Sequence, residues 1–175
     1  MSDNFLLKSR RVGVRYTTVE DLDTVIKMER DAENAPFIRQ WSQKQHRSAI
    51  KDRNIAHLII QRISTDDIIG YIIMVGLENY DRNIEFKRLV IADKGKGLGR
   101  QAVQLIKRLA FEKFGAHRLW LEVVLHNDRA YKLYKSEGFI DEGVHRESLR
   151  QDDRFVSMKV MSVLSHEYFM KDVSG

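Results

Sequence analysis

Hydrophobic positions along this chain change period several times, and each change marks a predicted element. Alternation through Val12 to Thr17 predicts a strand, and Thr18 with Asp21 forms a capping box ahead of a helix on which Leu22, Val25 and Ile26 share a face. The only proline, Pro36, breaks the stretch Asn34 to Trp41, after which Ser42 and Gln45 supply a second capping box for a short helix ending near Asp52. Ala56 to Ile63 and Ile68 to Leu77 are rich in Ile and other strand formers, and Ser64-Thr65-Asp66-Asp67 between them predicts an antiparallel hairpin. Asn83 to Ile91 extends this meander by a third strand.

From Gly97 to about Phe114 the period becomes helical, with Leu98, Ala102, Leu105 and Leu109 on one stripe, and Gly115 stops the helix. Arg118 to Val124 predicts a strand, parallel to its predecessor if the intervening helix is a crossover. Asn127 caps a helix that ends before Gly138, and Phe139 to His145 with Phe155 to Val163 complete an α/β sheet. No repeat, low-complexity tract or linker interrupts this order, so residues 1–175 are expected to form one domain with its core at about 11–164. Residues 1 to about 9 and the last few are expected to fray.

Composition narrows the chemistry. The 43% hydrophobic and 31% charged residues describe a globular chain able to bury a core. The absence of cysteine excludes disulfides, a thiolate nucleophile and a Cys-based zinc site. His46, His57, His117, His126, His145 and His166 show no metal-ligand spacing, so no metal is expected. No signal-peptide core or membrane-length apolar run occurs, and no Lys/Arg block marks a nucleic-acid arm, so the expectation is a cytoplasmic protein with neither membrane nor nucleic acid as partner. The formal charge of +5 is modest and decides nothing alone.

The segment Asp93-Lys94-Gly95-Lys96-Gly97-Leu98-Gly99-Arg100 joins a strand-type run to a helix-type run. Glycines there allow close backbone approach, and the amides opening the helix lack intrahelical partners, so the segment is placed to cradle phosphate. Its G-x-G-x-G spacing fails the dinucleotide fingerprint, and Gly97 after Gly95-Lys96 fails the nucleoside-triphosphate loop. It resembles instead the [Q/R]-x-x-G-x-[G/A] pyrophosphate loop of the GNAT (GCN5-related) N-acetyltransferases, with Lys94 where the family usually has Gln or Arg. About thirty residues on, Asn127-Asp128-Arg129-Ala130-Tyr131-Lys132-Leu133-Tyr134-Lys135-Ser136-Glu137-Gly138-Phe139 resembles the family's N-x-x-A-x-x-L-Y-x-x-x-G-F segment with every fixed position filled. The resemblance covers roughly residues 13 to 162, and Glu142-Gly143-Val144-His145-Arg146-Glu147 is most like the RimJ/RimL-type branch, which includes protein N-terminal and polyamine acetyltransferases.

The resemblance implies a mixed, mostly antiparallel twisted sheet, splayed between two central parallel strands and flanked by helices. It implies acetyl-coenzyme A as acyl donor, bound by Lys94, Gly95, Lys96, Gly97, Leu98, Gly99 and Arg100 at the pyrophosphate. Leu89, Val90 and Ile91 would pair with the pantetheine arm, and Asn127 would cap its helix or reach that arm. Tyr134 takes the family's general-acid position, and Glu85 a position from which a carboxylate or water can act on the acceptor amine. Both also read as ordinary packing, Tyr134 as a core aromatic and Glu85 as a half-exposed strand residue. Acceptor recognition is expected from Glu29 through Ser42 and from the Tyr80 to Asn83 loop, with Glu29, Asp31 and Glu33 suited to a polycation and Phe37, Arg39 and Trp41 to a peptide or aromatic acceptor.

These residues support transfer of acetyl to a primary amine of a small molecule or peptide N-terminus by direct attack in a ternary complex. A spermine/spermidine N-acetyltransferase is the narrower enzyme reading, and an acyl-coenzyme A sensor is the non-enzyme one. A homodimer is left open.

Overall fold

The computed structural model describes residues 4–171. Its centre is one eight-stranded sheet. Strands β1 (Leu7–Lys8), β2 (Val12–Tyr16), β3 (Ile55–Arg62), β4 (Ile68–Val75) and β5 (Asn83–Ile91) form an antiparallel meander in sequence order. Strand β6 (Arg118–Val124) then lies parallel to β5, and the long hairpin of β7 (Ile140–Gln151) and β8 (Arg154–Leu164) closes the sheet in the order β6-β8-β7. This is the mixed, mostly antiparallel sheet with two central parallel strands that the resemblance implied.

Helices cover both faces. Helix α1 (Leu22–Arg30) follows a 3-10 turn capped by the expected Thr18–Asp21 box, and α2 (Gln43–Lys51) starts at the Ser42–Gln45 box. Val25 and Met28 of α1 pack on Ile59, Tyr71, Ile73 and Val90. On the opposite face, α3 (Leu98–Arg108) buries Leu98, Ala102, Leu105 and Ile106 against the other set of alternating strand residues, and α4 (Asp128–Ser136) adds Leu133 and Tyr134. The helix expected to reach Phe114 does so through a π-helical turn at Leu109–Lys113, whose wider pitch lets Leu109, Ala110 and Phe111 all face the core.

Four features depart from the pattern-based elements. Residues 7–8 pair with β2 instead of fraying, and Ser165–Lys171 forms a terminal helix, α5, whose Tyr168 stacks on Phe111 at 4.9 Å. The β7–β8 hairpin runs further than the alternation suggested, because backbone pairing extends it where both side-chain faces of β7 are exposed. A bulge at Lys87 reverses the alternation of β5. Ile84 and Phe86 face α3 before it and Leu89 and Ile91 after it, while Arg88 and Val90 turn toward α1.

That reversal delivers Arg88 into a buried polar cluster. Glu29 is 1% exposed and accepts from Arg88 Nη1 (3.1 Å), Tyr71 Oη (3.2 Å) and the Trp41 amide, with His46 Nε2 at 2.6 Å. His46 Nδ1 lies 3.0 Å from His57 Nε2, and His57 Nδ1 lies 2.8 Å from Thr17 Oγ1. Burial disfavours ionisation of Glu29, but hydrogen bonding to His46, the Arg88 charge and the Trp41 amide outweigh it, so its carboxyl is held below the usual range. Burial, reinforced by His46 and Arg88, pulls His57 down to about 4.

A histidine that titrates near 6.5 unfolded and at about 4 folded stabilises fully above the first value, and that stability is lost as pH falls toward the second. The depressed Glu29 acts in the same direction at lower pH. Wild-type protein should therefore lose ~2 kcal/mol of unfolding free energy between pH 7 and pH 5. Urea titrations at the two pH values check this, and His57→Gln should flatten the difference.

Candidate functional site

Strands β5 and β6 exchange ladder bonds at only three registered positions, Asn83–Arg118, Ile84–Leu119 and Glu85–Trp120. Beyond that rung they part, leaving the β6-facing edge of Phe86 to Ile91 without a strand partner. Buried backbone groups need hydrogen bonds, so this edge is a template for an extended ligand. A cavity of about 840 Å³ fills the gap and passes from one face of the sheet to the other.

The cavity gathers most of the residues singled out above. Leu89, Val90, Ile91, Lys94, Gly95, Gly97, Gly99, Arg100, Asn127 and Tyr134 all line it. Gly95 and Gly97 adopt φ of 82° and 74°, and Gly97 is the N-cap of α3. The first bond at this end runs from the Gln101 amide to the Gly97 carbonyl, so the Leu98, Gly99 and Arg100 amides have no intrahelical acceptor and can face an anion. Asn127 Oδ1 accepts from the Ala130 amide at 3.3 Å, which caps α4 while the residue remains on the cavity wall.

Other expected contacts fall elsewhere. Leu98 is buried in the core at 1% exposure, and Lys96 turns to Asp93 at 2.9 Å, so neither side chain lines the cavity. Arg100 reaches the cavity but is paired with Glu137 at 2.5 Å. Lys94 donates to the Glu33 carbonyl at 2.9 Å and thereby ties the glycine loop to the acceptor-side segment. Glu29, expected to meet a polycation, is sealed in the cluster with Arg88 and His46. Tyr80 is almost wholly exposed, and the 80–83 turn is not part of the cavity wall.

Tyr134 packs its ring on Phe86 and Phe139, and burial pushes its phenol well above the ordinary value. Glu85 sits on the last β5–β6 rung, 3.5 Å from Lys87 and outside the cavity lining. Its carboxyl is pushed up by burial and by the nearby Glu122, against the pull of Lys87. Pattern reasoning did not single out Glu122, which lines the cavity with His145 at 2.5 Å, or Arg88, whose Nη2 holds the Arg39 carbonyl at 2.5 Å. Each reads in sequence as a polar residue on a strand, and only the parting of β5 and β6 and the Lys87 bulge give it a special place.

Comparison with known proteins agrees with this geometry. Residues 22–139 match the Acetyltransferase (GNAT) family. The spermidine N(1)-acetyltransferase of Vibrio cholerae serotype O1 is 26% identical over 103 residues, 58% of this chain and 60% of the relative's length. The spermidine N(1)-acetyltransferase of Escherichia coli K12 is 23% identical over 166 residues, 90% of this chain and 88% of the relative. Among solved structures, the Vibrio cholerae spermidine N-acetyltransferase in complex with CoA and spermine superposes with a TM-score of 0.83 at 20% identity, covering 92% of this chain and 99% of that one. A dodecameric form of the Vibrio cholerae enzyme gives 0.79 at 21% identity, covering 93% and 99%.

The glycine loop makes separable demands. At Gly97 a side chain strains a left-handed backbone, whereas at Gly99 an added Cβ meets only Leu133 Cδ2 at an ordinary 3.6 Å. Gly97→Val should weaken coenzyme A binding at least tenfold and lower the melting temperature. Gly99→Val should weaken binding with little loss of stability, and Gly99→Ala should change neither by much. Calorimetry checks all three, and unaltered coenzyme A affinity in folded Gly97→Val would remove phosphate from this loop.

Proposed function

From the premise that the chain belongs to the Acetyltransferase (GNAT) family, we propose that it moves acetyl from acetyl-coenzyme A to a primary amine by direct attack in a ternary complex. The observation that carries the reading is a cavity through the sheet, with the glycine loop at one end and Glu122 beyond the point where β5 and β6 part. The pyrophosphate would rest on the amides of Gly95 to Gly99, with Lys94 and Arg100 as the cations of this loop on the wall. The β5 edge at Leu89, Val90 and Ile91 would pair with the pantetheine amides and turn one N–H toward the thioester oxygen, which gains charge as the nitrogen attacks.

Tyr134 would protonate the departing sulfur. A reference tyrosine near ~10 is a weaker acid than a thiol near ~8.5, so transfer to a free thiolate is uphill by roughly 2 kcal/mol. Burial raises the phenol further, so the proton must move as the C–S bond breaks. Glu85, behind the cavity wall, would act on the acceptor through water or through its charge. The single domain, with its core at residues 11–164, would carry the whole reaction.

A spermine/spermidine acceptor is the second reading. It is favoured by the names of the relatives and by the acidic Glu33 and Glu122 on the cavity wall, with Glu85 behind it. Against it stand Arg39, Arg129 and Lys87 and the acid-free helix α2, so a peptide N-terminus remains the competing acceptor within the same chemistry. Self-association, with a homodimer as the smallest unit, accords with the dodecameric Vibrio cholerae relative.

Thiol release from acetyl-coenzyme A over a panel of spermidine, spermine and short peptides with free N-termini tests the reading. At least one amine should accelerate release well above hydrolysis, and binding without turnover for every amine would leave only an acyl-coenzyme A sensor. Tyr134→Phe should lower kcat about a hundredfold while coenzyme A affinity stays nearly intact. Retention of more than half of wild-type turnover, with chemistry rate-limiting, would return Tyr134 to a packing role.

A further inference from the structure

Glu29 on α1 and Arg88 on β5 form an ion pair whose side chains are 1% and 4% exposed. Replacing such a pair by packed apolar side chains is often neutral or stabilising, so fold stability alone does not account for two charges at this depth. What the pair holds is more informative. Besides each other and the side chains of His46 and Tyr71, the partners bind one short stretch of backbone. Arg88 Nη2 donates to the Arg39 carbonyl at 2.5 Å, and Glu29 Oε1 accepts from the Trp41 amide. The Trp41 ring also meets the Arg88 guanidinium at 4.8 Å and the His46 ring at 5.3 Å.

This grip falls directly after Pro36, Phe37 and Ile38, all of which line the cavity. Ile38 packs on the apolar cluster of Val25, Met28 and Val90, and Phe37 tilts against His126, which follows β6 on the far side of the gap. Lys94 fixes the other end of the stretch at the Glu33 carbonyl, and Gln151 holds the Pro36 carbonyl. Of these anchors only Arg88 lies on β5, beside Leu89 on the edge that β6 leaves unpaired. One residue therefore ties the strand that faces the acyl donor to the apolar wall across the cavity.

We propose that Arg88 and Glu29 are positioning residues for the acceptor, holding Pro36, Phe37 and Ile38 as a fixed wall against which the carbon skeleton next to the reacting amine lies. The assignment rests on the acyl-transfer reading above. A mobile segment would have to be ordered by each incoming acceptor, with a loss of affinity, whereas a wall already anchored from α1, α2 and β5 is pre-organised. Both charged groups are engaged by protein partners, so they act on the acceptor only through the backbone of Arg39 and Trp41. Contact with the skeleton is shared by ground state and transition state, so its loss appears in the acceptor KM and not in kcat.

The test uses the full chain with saturating acetyl-coenzyme A and an amine that wild type acetylates, spermidine first and a free-N-terminus tripeptide otherwise. Arg88→Met should raise the acceptor KM at least tenfold, with kcat within threefold and coenzyme A affinity within twofold of wild type. It also strands the Glu29 carboxylate, so the urea midpoint should fall. Glu29→Gln combined with Arg88→Met removes both charges, keeps an amide oxygen for the Trp41 N–H, and leaves the Arg39 carbonyl without its donor. This double variant should regain most of the lost urea midpoint while its acceptor KM stays at least fivefold above wild type. Phe37→Ala, outside the pair, should raise the acceptor KM at least fivefold with little change in urea midpoint.

An acceptor KM that recovers together with stability in the double variant reduces the pair to a structural role and overturns the assignment. So does weakened coenzyme A binding in place of the KM effect, or Phe37→Ala with an acceptor KM within twofold of wild type. If Arg88→Met does not fold, the double variant and Phe37→Ala decide by themselves. Without wild-type turnover of any amine the acyl-transfer reading itself falls, and this assignment with it, whereas wild-type turnover with an unaltered acceptor KM in the double variant removes the assignment alone.

Discussion

The interaction on which this structure depends is one that stops. The parallel ladder between β5 and β6 ends at the Glu85–Trp120 rung, while each strand keeps a strand partner on its other side, β5 with β4 and β6 with β8. A buried strand edge without partners is costly unless something pairs with it. The cavity, the unpaired edge of Leu89 to Ile91, the approach of Tyr134 from one face and of Glu122 from the other all follow from that break.

The acceptor-side segment shows how the fold steadies a loop whose regular structure is one 3-10 turn, Ala35–Phe37. Four side chains from distant parts of the chain hold its backbone. Lys94 holds the Glu33 carbonyl, Gln151 from the β7–β8 hairpin holds the Pro36 carbonyl at 2.7 Å, Arg88 holds the Arg39 carbonyl, and Glu29 receives the Trp41 amide. The Arg88 guanidinium also lies 4.8 Å from the Trp41 ring centre, adding a cation–π contact. Phe37, in the same segment, tilts against His126 at 5.7 Å and so links the loop to the turn before α4. Because Lys94 belongs to the glycine loop, the two ends of the cavity share a structural tie.

The carboxylates divide by environment in a way that their residue type conceals. Glu29 is fully enclosed and satisfied by an arginine, a histidine, a tyrosine and an amide, so it organises the fold and does not greet a ligand. Removing one partner of such a buried set typically costs ~3–5 kcal/mol. Glu85 is half-buried on a paired rung, and Glu122 opens to the cavity. All three are acidic residues in amphipathic or alternating segments, which is why pattern alone placed Glu29 with the acceptor and did not single out Glu122.

The sequence by itself determined whatever depends on neighbours along the chain. Period and capping chemistry located β2 to β6 and the starts of α1 and α2, because alternation, helical stripes and capping boxes are local. Glycine placement marked Gly95, Gly97 and Gly99 as backbone free to turn left-handed, which the structure bears out at Gly95 and Gly97 but not at Gly99, and the two spaced motifs named the family. Tertiary structure decided what depends on residues far apart. The Lys87 bulge turned Arg88 toward Glu29, the hairpin tip reached Pro36, and the parting of β5 from β6 made a wall residue of Glu122 and a rung residue of Glu85. Strand register and strand divergence are properties of pairs of segments, set by packing across the whole sheet, and no period within one segment encodes them.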